Sequence, residues 1–373
     1  MTFQSELRQG ISQPPRVSVE LTNICNLRCS YCMRDEDALY HTPARFFPVE
    51  LMRRIARDAH QTYGVRYVSF TGGEATIHPK FGEMIEAVVG EGLDFSFVTN
   101  GWHFDRVYPL VMRHRERVRA VAFSLDGATR EAHDRWRGEG SFVRVMRAVT
   151  RCYASRIPFV IKVGIRRDTV SQLQEFGLLA ARLEARALHF SHLLPTSPEA
   201  ERESALTREE QADAEHEIAI LAKIFRMEIG IAAGYYNTDP AAPCAVLRGT
   251  NCNIDYRGRM TLCCNLSGYR NADAEPDVVA DLNEEGFDSA YPRLRRLAEE
   301  QVERRRRILE SAAAEGCEVD LYTGSPCLLC LQSFGKIPWR GPVPEGVRSR
   351  SLPVLGGDSP NVTRAAAPPA HTA

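Results

Sequence analysis

Between residue 16 and about residue 195, short runs rich in branched and aromatic residues alternate with longer amphipathic stretches, and this alternation limits the possible folds most. Strand-like runs occupy 17–21, 67–71, 94–99, 120–125, 159–165 and 187–193, with helical periodicity at 49–63, 81–90, 142–155 and 171–184. Repeated strand–helix units predict an α/β fold built around a parallel sheet. Ligands of such sheets gather at the C-terminal ends of the strands. Four turns fall on that rim: the loop after the first strand, Thr71-Gly72-Gly73-Glu74, Thr99-Asn100-Gly101, and Ser124-Leu125-Asp126-Gly127.

The first of these loops carries Cys25, Cys29 and Cys32, three thiols within eight residues in the spacing C-x3-C-x2-C. Thiolates so close in sequence can converge on one inorganic centre. Iron–sulfur cubanes are usually held by four cysteines, so a group of three leaves one iron open to chemistry, as an open position does in catalytic zinc sites. On the cysteines alone, a zinc knuckle is the competing reading.

Spacing and flanks together, with Tyr31 beside the last cysteine and Gly72-Gly73-Glu74 one unit later, resemble the radical S-adenosylmethionine (radical SAM) enzymes over most of residues 16–195. The resemblance implies a partial (β/α)6 TIM-like barrel with a [4Fe–4S] cluster on Cys25, Cys29 and Cys32. It also implies S-adenosylmethionine (SAM) as cofactor, cleaved to methionine and a 5′-deoxyadenosyl radical that takes a hydrogen atom from substrate. The electron would come from an external one-electron reductant of flavodoxin or ferredoxin type. By the same resemblance Gly72, Gly73 and Glu74 receive the methionyl amino group, Asn100 and Ser124 lie near the ribose or carboxylate, and Arg144 pairs with that carboxylate. Tyr31 flanks the adenine, with Leu193 and Leu194 on its other side. Without the resemblance, Glu74 reads as a tight turn and Arg144 as a surface residue. His78, His189 and His192 read as structural groups, His192 being the one to consider for substrate contact, and no residue is assigned as catalytic base.

Lys and Arg number 47 against 48 Asp and Glu, a formal charge of −1, so no global field argues for nucleic acid or membrane. The N-terminus lacks the apolar core of a signal peptide, and no apolar run is long enough to span a bilayer. A cytoplasmic, reducing setting follows, in which eleven cysteines are more often ligands than disulfides.

The chain divides, by composition, into an N-terminal segment (1–15), the barrel (16–200), a connecting helix and linker (201–240), a small cysteine-rich α+β extension (241–340) and a Pro/Gly/Ser/Ala-rich tail (341–373) expected to be disordered. Thr207 and Glu210 form a capping-box pattern opening a helix over 208–227, residues 253–262 read as a hairpin turning at Arg257-Gly258, and 292–315 reads as a helix whose run Arg304–Arg307 is a solvated face. The extension holds seven of the eleven cysteines. Cys244, Cys263-Cys264, and Cys327-x2-Cys330 resemble the "twitch" type of the SPASM/twitch extensions, which implies one auxiliary [4Fe–4S] cluster on Cys244, Cys263 or Cys264, Cys327 and Cys330. Cys252 and Cys317 are spare, Cys252 being able to substitute; Cys152 reads as core. A structural zinc site fits the same C-x2-C spacing. Relatives with an aspartate after a ligating cysteine use it as proton acceptor; Asn265 follows Cys264 here, which moves that role to a residue such as Asp255. The favoured substrate is a small polar metabolite of sugar, cyclitol or nucleoside type, oxidised or rearranged with the auxiliary cluster as electron acceptor. The alternative is a ribosomally made peptide or protein, and a non-catalytic zinc–thiolate protein is the reading from another class.

Overall fold

Alternating hydrophobic residues build the sheet, one face at a time. The computed structural model describes residues 16–34, 43–269 and 275–343, and in it ten strands form one sheet in the order β10-β9-β8-β1-β2-β3-β4-β5-β6-β7. These are β1 (Arg16–Glu20), β2 (Tyr67–Thr71), β3 (Asp94–Thr99), β4 (Val118–Ser124), β5 (Phe159–Ile165), β6 (Ala187–His192), β7 (Glu228–Ala233), β8 (Asn251–Ile254), β9 (Arg259–Thr261) and β10 (Val278–Asp281). Neighbours from β1 to β7 are parallel.

Val17, Val19, Phe70, Phe95, Phe97, Phe123, Ile161 and Phe190 point to the outer face, where each is at most 1% exposed. Helices cover them: α1 (Val49–Tyr63), α2 (Phe81–Gly90), α3 (Phe104–Arg113), α4 (Arg130–Arg137), α5 (Ser141–Ala154) and α6 (Leu173–Arg182). Phe81 of α2 packs edge-on against Phe70 and Phe97, and Phe104 of α3 against Phe123, a contiguous aromatic layer that fixes where each helix lies. The residues between these apolar positions face inward and are small or polar. In register across the sheet run Asn253, Ser18, Ser69, Ser96 and Ala120, then Ser124, Lys162, His189 and Gly230. Small inner-face side chains leave room inside the curved sheet; an aliphatic set would have filled it.

The barrel does not stop at residue 200. After α7 (Pro198–Glu203), the capping box of Thr207 and Glu210 opens α8 (Arg208–Ile224), and the segment expected to be linker forms β7, a seventh parallel strand beside β6. Glu228-Ile229-Gly230-Ile231-Ala232-Ala233 carries few good strand formers, so only the free edge of β6 makes it a strand. The extension also joins the sheet: the hairpin turns where expected, but its first strand, β8, pairs in parallel with β1, with Cys252 opposite Val17. The long helix α9 (Phe287–Ala314) begins five residues before Pro292 and packs on α1 through Phe287 and Tyr291 against Tyr63. Proline removes one helical hydrogen bond, and the carbonyl it would have satisfied, that of Asp288, accepts from the Tyr63 hydroxyl at 3.4 Å. α10 (Leu321–Gly324) and α11 (Pro326–Ser333) follow. The boundary expected at 341 falls within packed chain, since Val343 is buried against Ile308 and Leu329. Segment 1–15 and the tail from 344 lie outside the described residues.

Candidate active site

The first two rim turns are locked together through the backbone. A Cβ on Gly73 would stand 2.1 Å from the Ile24 carbonyl oxygen, and one on Gly72 2.5 Å from that of Thr22. That space is taken because the Gly73 N–H donates to Thr22 O and the Glu74 N–H to Ile24 O, both at 2.9 Å. Gly72 also holds φ at +134°, open to glycine and to few other residues. The close approach these glycines permit is therefore to the loop carrying Cys25, which rests on the second turn.

Glu74, 2% exposed, ties the second turn to the third. Its Oε1 accepts from the Thr76 N–H (3.2 Å), the Thr76 hydroxyl (2.5 Å) and the Thr99 hydroxyl (2.8 Å), and its Oε2 from the Asn100 N–H at 2.7 Å. One acceptor position remains on Oε2, since a carboxylate offers about four. Asn100 in turn donates its side-chain amide to Asn26 Oδ1 at 3.0 Å and toward Cys25 Sγ at 3.8 Å. Burial and the nearby Glu74 charge push the Cys25 thiol up to about 12, and burial raises Cys29 as well.

The fourth turn adds a cluster that the sequence reading passed over. Asp126 accepts from the Tyr31 hydroxyl and the Arg137 guanidinium, and from the Gly164 N–H at 3.1 Å. Arg166, fully buried at the end of β5, lies 3.7 Å from Asp126 Oδ1, 4.6 Å from the Tyr31 ring centroid and 4.2 Å from that of Trp136. Burial alone would raise the Asp126 carboxyl, but Arg137 and Arg166 overcome it and hold it at about 2. His133 accepts the Asp126 N–H at 3.1 Å, and burial lowers it to about 4. The aromatic of the cysteine loop is thereby fastened to the ends of β4 and β5. The signal was present in His133–Arg137, the last turn of α4, where charged and aromatic residues stand together.

Ser124 lies on the inner face in register with Lys162, and Arg144, exposed on α5, stands 5.3 Å over the Trp102 ring at the third turn. Leu194 is 5% exposed and belongs to the core. The histidines separate by strand parity: His189 faces inward beside Lys162, whereas His192 turns to the helix side, 3.4 Å from Glu215 of α8. His192 thus does not face the inner space. His78 bonds the Phe47 carbonyl at 3.0 Å and is structural.

In the extension, Cys244, Cys263, Cys327 and Cys330 line one cavity with Leu247, Leu262, Leu266 and Leu331. Cys263 lines the cavity, and its thiol hydrogen-bonds that of Cys264, which also feels the inward-facing Lys162 and Arg16, and Arg34. Cys252 is buried on the helix-facing side of β8 and cannot substitute, and Cys317 lies apart, near Tyr236 and Val319. Cys152 is core, as its helical setting implied. Asp255 is not a free base: it caps the hairpin turn, accepting from the Arg257 and Arg259 N–H groups at 2.9 Å and pairing with the Arg259 guanidinium at 2.7 Å. Arg34, two residues after Cys32, pairs with Glu20 at 2.6 Å and donates to the Ser267 carbonyl, joining the cysteine loop to the extension.

A partial barrel whose rim joins a three-cysteine loop to a glycine-glycine-glutamate turn, with a second cysteine cavity attached, defines a cluster-dependent, SAM-cleaving enzyme. Residues 19–180 match the Radical SAM superfamily. The barrel of this chain is thus a radical SAM domain. A mycofactocin maturase, MftC, of Mycobacterium ulcerans is 28% identical over 370 residues, spanning 94% of this chain and 92% of the relative. A GTP 3′,8-cyclase of Chlorobaculum tepidum is 34% identical over 166 residues, 43% of this chain and 48% of that enzyme. Among solved structures, Streptococcus suis SuiB bound to precursor peptide SuiA superposes with a TM-score of 0.58 at 14% identity, covering 79% of this chain and 70% of that one. The anSMEcpe enzyme with bound AdoMet and a Cp18Cys peptide gives 0.60 at 14% identity, covering 78% and 84%. At this identity the superpositions establish the fold. As a radical SAM enzyme the protein uses a [4Fe–4S] cluster and SAM. No helix among the described residues is long and apolar enough to cross a membrane.

Proposed function

We propose that this radical SAM enzyme is a maturase that modifies a ribosomally made peptide, with a catalytic barrel and a cluster-built extension carrying one auxiliary [4Fe–4S] cluster. The observation that carries the reading is the extent of the similarity. The mycofactocin maturase aligns along 94% of the chain, extension included, while the GTP 3′,8-cyclase aligns along 43%, and both superposed structures of like fold hold a peptide. This reverses the preference for a small polar metabolite drawn from the sequence.

The donor sets fit the groups assigned to them. Cys25, Cys29 and Cys32 share one loop held from below by Gly73 and Glu74, and Cys244, Cys263, Cys327 and Cys330 line a cavity whose other lining residues are apolar except Asn265, a setting suited to a thiolate-bound cluster. Cys264 is left out of the ligand set. Cys25, Cys29 and Cys32 would hold a cluster able to supply the electron for SAM cleavage, and Cys244, Cys263, Cys327 and Cys330 one able to take up an electron from substrate. The protein's own groups do the rest. The free acceptor position of Glu74 Oε2 suits the methionyl ammonium; Asn100, by its reach to Cys25 Sγ, orients the loop; Tyr31, clamped by Asp126 and Arg166, offers a fixed wall for the adenine. Ser124 and Arg144 are the carboxylate-side contacts.

The test is anaerobic turnover of the reconstituted full chain with SAM, a flavodoxin or dithionite, and the small peptides encoded beside its gene, read by mass spectrometry of peptide and nucleoside. A peptide mass change matched by 5′-deoxyadenosine supports the proposal. Unchanged peptides alongside a sugar or nucleoside that stimulates 5′-deoxyadenosine release would restore the metabolite reading.

A further inference from the structure

The run Arg304–Arg307 on α9 was expected to be a solvated face, and two of its members behave so: Arg306 pairs with Glu303 and Glu310, and Arg307 lies near Glu303. Arg305 does not. It turns inward and is 3% exposed. Its two Nη groups donate to the carbonyl oxygens of Asn237 and, at 3.2 Å, Asp239, in the segment leading to Cys244, while its Nε has no partner among the described residues. Burial pulls it below the usual guanidinium range, and the acidic groups that offset this in part are Tyr235, Cys244, Cys330 and Asp239. Cys244 feels Arg305 together with Arg248, and Cys330 feels Arg305 together with Arg304, Arg305 being the buried one of the three.

A guanidinium so buried, bonded to two neutral carbonyls and with its Nε–H unpaired among the described residues, is costly to keep unless an anion lies nearby. Carbonyls supply hydrogen bonds but no compensating charge. Two of the four thiols lining the neighbouring cavity are the groups in question, and four thiolates around an iron–sulfur core carry net negative charge that grows with each added electron. A fixed buried cation favours the more negative state, because no water reorganises to screen it.

We propose that Arg305 is the buried counter-charge of the cluster held by Cys244, Cys263, Cys327 and Cys330, and that it makes one-electron reduction of that cluster easier. The inference rests on the auxiliary-cluster reading above. The couple is simple: the oxidised cluster takes one electron, from dithionite in the titration or from a substrate-centred radical in turnover, and no bond is made or broken. Arg305 is a positioning and tuning residue, touching neither SAM nor substrate.

Its test is a mediator-buffered dithionite titration of the full-length, anaerobically reconstituted protein, followed by electron paramagnetic resonance with iron and zinc counts. The C-terminal signal is identified as the one that persists when Cys25, Cys29 and Cys32 are replaced by alanine. Arg305→Gln is expected to keep its iron and lower the reduction constant at least tenfold, a fall of 59 mV or more for one electron. Arg305→Lys, which retains charge, is expected to recover most of the shift. An unchanged potential in Arg305→Gln at full iron overturns the proposal, as does an equal shift in both variants. If Arg305→Gln loses the C-terminal iron while Arg305→Lys keeps it, the charge requirement stands; if both lose it, Arg305 is a packing residue and the proposal falls. A parent protein with zinc or no metal in the C-terminal site removes the auxiliary-cluster reading itself, a result separable from all of these.

Discussion

Replacing Gly73 by alanine tests whether the glycine-glycine-glutamate turn is the seat of the cysteine loop. The new methyl would lie 2.1 Å from Ile24 O, 2.4 Å from its carbonyl carbon and 3.0 Å from Cys25 N, all backbone atoms that no side-chain rotation can move away. Relief requires the loop to lift, breaking the Gly73–Thr22 and Glu74–Ile24 hydrogen bonds, each 2.9 Å long. Two buried backbone bonds left unmade cost between about 2 and 6 kcal/mol together, at roughly 1–3 kcal/mol each. Against a typical total stability of about 5–15 kcal/mol, that is enough to detach one loop while the barrel survives. The expected result is a folded protein that loses roughly half its iron, the N-terminal cluster being one of the two proposed, and releases no 5′-deoxyadenosine. Gly90→Ala provides the control, since nothing lies within 4 Å of its Cβ position at the end of α2. That change is expected to be neutral or stabilising by up to about 1 kcal/mol. Anaerobic iron counts, circular dichroism and nucleoside chromatography read all of this. Wild-type iron and SAM cleavage in Gly73→Ala would refute the seating argument.

Glu74→Gln places an amide N–H against either the Asn100 N–H or the Thr76 N–H, both now donors to the carboxylate. It is expected to weaken SAM binding about ten- to a hundredfold, or roughly 1.5–3 kcal/mol, with both clusters retained; unaltered affinity in anaerobic titration counts against it. Acid stability should fall in two stages. His133, lowered by burial from 6.5 to about 4, contributes stability present above pH 6.5 and lost as pH drops toward 4, and Asp126, held at about 2 against 3.8, contributes stability present above 3.8 and lost toward 2. These are worth roughly 3 and 2 kcal/mol at about 1.4 kcal/mol per unit, and thermal melts of His133→Asn, which keeps an acceptor but cannot charge, should lose the upper stage only. Deleting the tail from residue 344 should leave the melting temperature and SAM cleavage unchanged. Cutting before Cys327 should remove the auxiliary iron and make the chain from 241 protease-sensitive, and full iron in that shorter chain would show that Cys327 and Cys330 are not ligands.

The sequence by itself determined the elements that rest on local pattern: six strands and the rim turns after them, α1 and α2 to the residue, the capping box of Thr207 and Glu210, and the hairpin at Arg257-Gly258. Those features follow from the periodicity of apolar positions and from turn chemistry, both visible within a few residues. It also grouped the cysteines into an N-terminal and a C-terminal set by spacing. Tertiary structure alone decided the rest. β7 and the parallel pairing of β8 with β1 depend on open sheet edges, which no window of sequence contains. Of the adjacent Cys263 and Cys264 the first alone lines the cavity, and four neighbouring arginines differ in fate at Arg305, because direction out of a turn or helix is set by what packs against it. Asp126, Arg137 and Arg166, distant in sequence, come together around Tyr31 only once the parallel strands have aligned their ends, since the balance between the charges' attraction and their desolvation exists only in that shared burial.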